Sequence, residues 1–298
     1  MTESSHNEYD SHTLRLPQEE LGTRRVSVSN FAAARLIRAL PRVPLSRAVG
    51  RLCEQALPSP LSRIVQSIYC SAYDVNLDEA ESRGPYPSFD AFFTRQLRQG
   101  VRPISEDDVI SPADGKLSAR GIVESGGRIV VKKQAYDVAE LVGSSEDGLR
   151  YRGGSFAVVY LAPSDYHRVH SPVDGTICAI RGIPGDLYPV NAIGEEYFEG
   201  LFVRNNRVCI CIDTARLGRV SVVMVGATIV GRISVSVIPA PAVPPGETLV
   251  EPGVIVQRGD EVGIFHLGST AVVLFEPGVS LKRDLGVVRM GESLMRAE

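Results

Sequence analysis

The sequence has no tryptophan, no excess of basic residues and no long hydrophobic run. Of its 298 residues, 32 are Lys or Arg and 35 are Asp or Glu, so its net charge is −3 at pH 7. This balance argues against a general nucleic-acid-binding protein, which usually carries a strongly basic domain. No stretch reaches the ~18 apolar residues expected of a membrane-spanning helix. A secretory signal is also missing, so we expect a cytosolic protein or one attached to a membrane without crossing it.

Cysteine is scarce as well, and its pattern excludes a disulfide scaffold. The five cysteines are an odd number and have no framework spacing, which fits a reducing compartment. Cys209 and Cys211 share one face of an apolar predicted strand. We interpret them as small core residues rather than as a metal-binding pair.

The first third of the chain is predicted to be helical after a polar, disordered tail over residues 1–24. In the region 25–105, apolar residues recur at helical spacing, and Pro41 and Pro44 are expected to divide the first helical stretch in two. Arginines are frequent between residues 31 and 70, where Glu54 is the one acidic residue. Two interpretations fit this region: a helical cap with solvated arginines, or an interfacial membrane anchor.

The remaining residues, 106–298, are short Val- and Ile-rich runs separated by Gly and Pro. This texture predicts a mainly antiparallel β-rich domain with a sandwich or barrel core, and an α+β protein as a whole. The pattern Ser-Pro-x-Asp-Gly occurs at 111–115 and again at 171–175. Although Pro-x-Asp-Gly is common turn chemistry, its repetition ahead of a predicted strand suggests an internal duplication.

Histidines are few, and most of them cluster in the β-rich region. His6 and His12 fall in the tail, whereas His167 and His170 lie three residues apart and His266 lies near the C-terminus. The His-x-x-His pair lacks the glutamate of a zincin and has no evident third ligand, so we predict no metal site.

A nucleophile can be combined with these histidines. Ser269 would attack, His170 or His167 would act as the base, and Asp114 or Asp174 would orient that base. No Gly-x-Ser-x-Gly elbow surrounds Ser269, which argues against a hydrolase of that fold.

The dipeptide Gly268-Ser269 lies between two apolar runs and indicates a reaction other than hydrolysis of a substrate. A serine hydroxyl can attack the carbonyl of its preceding residue, and a preceding glycine gives the bent, uncrowded peptide that this attack needs. A base must take the hydroxyl proton, and Thr270 is placed to support the oxyanion. The chain would then break between 268 and 269, leaving a pyruvoyl group at position 269 with loss of ammonia.

Several segments in chain order resemble the phosphatidylserine decarboxylase family. They run from about residue 30 to 280 and are SFDAFFTRQLRQGVRPI (88–104), SPADGKL (111–117), DYHRVHSPVDG (165–175), GLFVRNNRVCICIDT (200–214), VVMVGATIVGRI (222–233), and LGST (267–270) followed by VVLFEPG. The resemblance implies a proenzyme that cuts itself into a chain 1–268 and a chain 269–298. The region 106–298 would then be the catalytic domain, with pyruvate, as a covalent pyruvoyl group, for its cofactor.

The resemblance also implies residue roles. Asp114, His170 and Ser269 match the self-cleavage triad, and His167 matches the histidine of decarboxylation, for which an ordinary pKa near ~6.5 is suitable. His266 is interpreted as incidental. The segment IVVKKQAYDVAELVG lacks the glycine usual after its first lysine, which leaves the loop geometry there open.

The implied substrate is phosphatidylserine, decarboxylated to phosphatidylethanolamine and CO2. Because this lipid is anionic, the arginine-rich region 25–105 is then expected to dock on an anionic membrane surface, at the cytoplasmic face of a bacterial-type membrane. A homodimer stays open, and no nucleic-acid partner is expected. The alternatives are a decarboxylase of another amino-acid-bearing lipid, a non-catalytic lipid-binding relative, and a serine hydrolase that uses the same three residues.

Overall fold

Helices precede a mainly antiparallel β-structure in this chain. The computed structural model describes residues 41–190, 197–228 and 232–297. The predicted tail 1–24 and the first part of the region 25–105 lie outside the described residues. Within them, the helices and the antiparallel sheets confirm the α+β class.

The N-terminal helices are α1 (Arg42–Glu54), α2 (Ser59–Tyr73) and α3 (Phe89–Phe93). The predicted break at Pro44 is wrong. Helix α1 begins after Pro41 and holds Pro44 in its first turn, where the missing N–H of a proline needs no partner. Further short helices follow in the β-rich region: α4 (Val138–Val142), α5 (Ser145–Arg150) and α6 (Leu201–Arg204).

The strands of the described residues are short, as the spacing of Gly and Pro predicts. They are β1 (Gly115–Ile122), β2 (Arg128–Val131), β3 (Gln134–Asp137), β4 (Ser155–Leu161), β5 (Arg168–His170), β6 (Gly175–Ile183), β7 (Arg207–Asp213), β8 (Arg219–Gly226), β9 (Arg232–Val235), β10 (Gly246–Val256), β11 (Glu261–His266), β12 (Ser269–Phe275) and β13 (Gly286–Val288).

An eight-stranded antiparallel sheet forms the centre of the fold, in the order β10-β6-β7-β8-β12-β4-β1-β13. Strand β12 lies between β8 and β4, and all of its residues are buried. This position explains its nearly continuous apolar sequence, because both faces of the strand are covered.

Each face of the large sheet packs against a smaller layer. A three-stranded sheet, β5-β11-β9, covers one face, and the β2–β3 hairpin with α4, α5 and α6 covers the other. Side chains alternate along β12, so Ala271 and Val273 join the first core while Val272 and Leu274 join the second. The small sheet carries His170 at the end of β5 and His266 at the end of β11.

The two Ser-Pro-x-Asp-Gly segments occupy comparable positions. Residues 111–115 lead into β1 and residues 171–175 lead into β6, and each of these strands is one place in from an edge of the large sheet. Ser111 Oγ donates to the carbonyl of Ala113, and Ser171 Oγ donates to that of Val173. The segments therefore share a local conformation, while the duplication itself stays a prediction.

Candidate active site

The dipeptide Gly268-Ser269 lies where the chain passes from one sheet to the other. Strand β11 ends at His266 in the small sheet, and β12 begins at Ser269 in the large sheet. The two connecting residues have left-handed backbone angles, with φ of 84° at Leu267 and 30° at Gly268. This conformation is uncommon for leucine and is strained by on the order of 1–3 kcal/mol. The chain is therefore sharply bent just before Ser269, with the strain at Leu267.

The Ser269 side chain is buried and chemically free. It is 1% exposed, and its Oγ has no hydrogen-bond partner in the part of the chain that the structure describes. A buried hydroxyl without a partner is unusual, because it loses its bonds to water and gains none in return. Among the described residues, nothing but its chain neighbours lies within 4 Å of the place where a Cβ at Gly268 would stand, so there is open space on that side of its Cα.

Strand alternation determines which side of the sheet each residue of this junction faces. Ser269 is on the same side of β12 as Ala271, toward the small sheet that carries the histidines. Thr270 is on the opposite side, with Val272. The Thr270 side chain thus points away from the histidines, which does not favour its predicted role in holding the oxyanion. That role stays a prediction.

His170 is poised as a neutral base. Its Nδ1 is 2.7 Å from the carbonyl oxygen of Gly259, which can only accept, so the ring proton resides on Nδ1. Its Nε2 is left with a lone pair and accepts from the Tyr166 hydroxyl at 3.0 Å. Burial lowers the pKa of His170 below its usual value. The imidazole is therefore uncharged at neutral pH, and the hydroxyl of Tyr166 occupies its basic nitrogen.

Of the two candidate aspartates, Asp114 is the one whose charge acts on His170. Burial has the largest effect and lowers the pKa of that histidine. The Gly259 hydrogen bond and the charge of Glu261 raise it, and the charge of Asp114 raises it by less than either. The hydrogen bonds of Asp114 go elsewhere: Arg102 donates from Nε to Oδ1 at 2.9 Å, and the Met290 amide donates to Oδ1 at 2.8 Å. Asp174 is instead largely exposed and pairs with Arg258 at 3.1 Å.

His167 is the most enclosed group of the site. The residue is 0% exposed, and its ring packs at a tilt of 43° against that of Phe93, with centroids 4.0 Å apart. Nδ1 donates to the carbonyl of Asp165 at 2.8 Å, while the buried Nε2 has no partner among the described residues. Burial lowers the pKa of His167 to about 3. The expectation of an ordinary histidine pKa is therefore wrong, because the sequence carries no measure of burial.

His266 has a denser set of contacts than an incidental residue would have. It is buried, its Nδ1 is 2.8 Å from Asp90 Oδ1, and its Nε2 is 3.0 Å from Ser234 Oγ. Arg232 joins the same carboxylate at 3.3 Å and also pairs with Glu54 at the end of α1. The residue before the left-handed Leu267 is thus connected to α3 and α1.

Sequence reasoning missed Arg102, Arg95 and Asp90 in this region. All three lie in the segment 88–104 that carries the family resemblance, which is the one signal that could have found them. Within the described ranges no group of three or more His, Cys, Asp or Glu side chains is arranged to hold a metal ion. Cys209 and Cys211 are both buried in the core, with sulfur atoms 3.9 Å apart.

A buried serine hydroxyl without a partner among the described residues, on the face of the large sheet that packs against the histidine-bearing small sheet, has the features of an enzyme active site. The family model for phosphatidylserine decarboxylase matches residues 89–296. Among similar proteins, a phosphatidylserine decarboxylase proenzyme from Anaeromyxobacter sp. (strain K) is 38% identical over 270 residues, covering 87% of this chain and 95% of the relative.

Two further proenzymes of the same name show the same likeness. The one from Acinetobacter baylyi is 40% identical over 242 residues, which is 80% of this chain and 84% of the relative. The one from Vibrio parahaemolyticus is 40% identical over 249 residues, which is 79% of this chain and 87% of the relative. The chain therefore belongs to the phosphatidylserine decarboxylase family.

Proposed function

We propose that the chain cuts itself between Gly268 and Ser269 and then decarboxylates phosphatidylserine to phosphatidylethanolamine and CO2, using a pyruvoyl group made from Ser269. The observation that carries this proposal is the partnerless, buried hydroxyl of Ser269 directly after the left-handed Leu267-Gly268 pair. A binding protein has no need of such a strained and costly arrangement. The names of the relatives, each a proenzyme, support the same reading.

In the cleavage step, Ser269 Oγ attacks the Gly268 carbonyl while a base removes the hydroxyl proton. The neutral Nε2 of His170 is the proposed acceptor, after the Tyr166 hydroxyl moves aside or relays the proton. The amide becomes an ester. Loss of the Ser269 α-proton then expels Gly268 as a carboxylate, and water replaces the nitrogen at position 269, releasing ammonia.

The residues of the site fit a cofactor that consists of the atoms of Ser269. Within the described part of the chain, the buried hydroxyl has no partner to hold it, and there is open space beside the Cα of Gly268. A pyruvoyl group there would supply the carbonyl that withdraws electrons as CO2 leaves the substrate. The protein would provide orientation, exclusion of water and proton transfer.

His167 suits the proton transfer in a different way from that expected of an ordinary histidine. With its Nδ1 proton committed to Asp165 and its pKa about 3, it is neutral and has a free lone pair at Nε2. It would take up, only in passing, a proton released as the substrate amine reacts, because a base with a pKa of about 3 does not hold the proton of a free ammonium. It would then return that proton to the substrate carbon that has lost CO2.

Intact-mass analysis of the purified protein tests the proposal directly. We expect two fragments, residues 1–268 and 269–298, because the ester intermediate breaks at that peptide. The short fragment should resist N-terminal sequencing, since a ketone replaces its amino group. Purified, active protein that is one uncut chain would overturn the proposal.

We further propose that α1 and α2 dock on an anionic membrane surface. Helix α2 buries polar residues and exposes apolar ones, the reverse of a helix on a soluble protein. Its buried residues are Ser62 and Gln66. Leu61, Ile64 and Ile68 are 46%, 57% and 64% exposed. The buried polar pair explains the inversion, because both side chains donate to the carbonyl of the loop residue at position 86. The apolar face is thereby turned outward, as in an interfacial helix.

Exposed cationic side chains accompany this apolar face. Arg47, Arg51 and Arg63 are all exposed on the two helices. Each could contribute about 1 kcal/mol near an anionic surface. In the residues that the structure describes, no helix is both long and apolar enough to cross a membrane. Binding at the surface of the cytoplasmic leaflet is the mode that we propose.

Replacing Leu61, Ile64 and Ile68 together by serine should weaken binding to phosphatidylserine vesicles by about 100-fold or more, because each apolar side chain contributes on the order of 1.5–3 kcal/mol when fully buried. Vesicle co-sedimentation measures the effect. The matched control is Leu249→Ser with Ile255→Ser, two exposed apolar residues on β10, which should bind as the wild type does. Equal binding by the triple variant would exclude this face.

A further inference from the structure

Arg95 is a buried cation without a counter-ion. It follows α3 by two residues, is 5% exposed, and donates from one terminal nitrogen to the carbonyl of Ser164 at 3.0 Å. That is its one side-chain hydrogen bond within the described ranges, and its Nε is buried with no partner. No carboxylate among those residues forms an ion pair with it.

The other buried arginines show how unusual this is. Arg181 and Arg283 each pair with one or more carboxylates. Arg207 has no carboxylate partner, but its nitrogens donate to several backbone carbonyls, those of Leu141, Val203, Asn205 and Glu140. A buried charge that is neither paired nor fully hydrogen-bonded is strongly unfavourable. The described residues around Arg95 supply no anion for it, which suggests that its partner comes from outside the chain.

The location of Arg95 connects it to the proposed reaction centre. The Ser164 carbonyl that it holds is adjacent to Asp165, whose own carbonyl fixes His167 Nδ1. Phe93, two residues before Arg95, packs against the His167 ring with centroids 4.0 Å apart. The charge of Arg95 adds to the larger effect of burial in lowering the pKa of His167. The two groups are therefore close enough to act on one molecule.

Arg95 is also connected to helix α2, which we propose docks on the membrane. Tyr69 of α2 packs edge-on against Phe92 at 5.7 Å and donates to the carbonyl of Pro163 at 3.1 Å. The guanidinium of Arg95 is 5.8 Å from the Phe92 ring. Through Phe92 and Tyr69, Arg95 is thus connected to α2, whose exposed apolar face is the proposed lipid-binding surface.

We propose that Arg95 binds an oxyanion of the substrate headgroup, either its carboxylate or its phosphodiester. This inference rests on the proposed function, because it names the group that the same site recognises. A guanidinium fits both anions through paired N–H donors, and burial from water strengthens the contact. The missing partner of Arg95 is then the substrate itself.

The test uses the full chain and short-chain phosphatidylserine. Arg95→Gln should still cut itself but raise KM roughly 10- to 100-fold, the loss expected for a charge-assisted contact. Arg95→Lys, which keeps the charge, should recover part of that loss. Arg98→Gln is the matched control, because Arg98 lies three residues away and is exposed. It should have the KM of the wild type.

Competition by short-chain phosphatidylethanolamine separates the two anions, because this product keeps the phosphodiester and lacks the carboxylate. If Arg95 binds the phosphodiester, Arg95→Gln should weaken inhibition by the same factor as KM. If it binds the carboxylate, inhibition should be unchanged. An unaltered KM for Arg95→Gln would overturn the inference.

If Arg95 served folding rather than substrate binding, its variants would differ in stability. Removing an unpaired buried charge should leave the lipid-free melting temperature as high as that of the wild type or higher. A clear fall in melting temperature, or a chain that stays uncut, would assign Arg95 to folding and overturn the inference. Wild-type protein that neither cuts itself nor releases CO2 would instead refute the proposed function, so the two failures are distinguishable.

Discussion

Ser269→Ala should leave the chain as a single uncut polypeptide without decarboxylase activity. The change removes the one atom that attacks the Gly268 carbonyl, and it also removes the precursor of the pyruvoyl group. Both losses should be complete rather than graded, because no neighbouring hydroxyl can replace an atom that becomes part of the cofactor. Intact-mass analysis and CO2 release from phosphatidylserine measure the two outcomes.

Ser155→Ala is the matched control for this experiment. Ser155 is also buried, its Oγ also has no partner, and it pairs with Phe275 at the other end of β12. The two variants therefore remove the same kind of atom from the same sheet. We expect Ser155→Ala to cut itself normally. Cleavage of the Ser269→Ala chain between 268 and 269 would remove Ser269 from the mechanism.

The cleavage junction could be predicted from sequence because its signal is local. Gly268 and Ser269 interrupt two apolar runs that become β11 and β12, and a glycine is informative wherever a left-handed angle is needed. The same holds for the start of α2, where Pro58 is the N-cap and Pro60 lies in the first turn. Patterns within about ten residues contain this information.

The environment of the catalytic residues could not be predicted in the same way. The carbonyl that fixes the tautomer of His170 belongs to Gly259, 89 residues away. Arg102 carries no local sequence signal of its own, although its guanidinium binds Asp114. Such contacts depend on which loops the sheets bring together, and no short spacing records them. The family resemblance named the residues but not their partners.

Burial changes the predicted chemistry most at His167. An isolated histidine suggests a group that exchanges protons near pH 6.5. Enclosure beside Phe93 and the nearby positive charge of Arg95 make the neutral form strongly preferred instead. The role of His167 therefore becomes that of a base before that of an acid.

His167→Ala should still cut itself at least in part but lose decarboxylation by about 100-fold or more, the range typical of removing a general acid–base group. His170→Ala should have the opposite phenotype and remain uncut. Intact mass and the single-turnover rate of CO2 release separate the two steps. His167→Gln is a companion variant that leaves less empty volume, so a loss shared by both variants reflects the missing imidazole. Full activity of either variant would overturn the assignment.

The pH profile of the wild-type enzyme supplies an independent measure of the same group. Because the pKa of His167 is about 3, its Nε2 keeps its lone pair as the pH falls through 6.5, where an ordinary histidine becomes charged. Decarboxylation should therefore continue below pH 6.5, and its single-turnover rate should not fall to half near that pH. An acid limb centred at that pH, and absent from His167→Gln, would show instead that His167 titrates as an exposed imidazole does. The proton would then come from a charged histidine, and the base-first sequence proposed for Nε2 would be wrong.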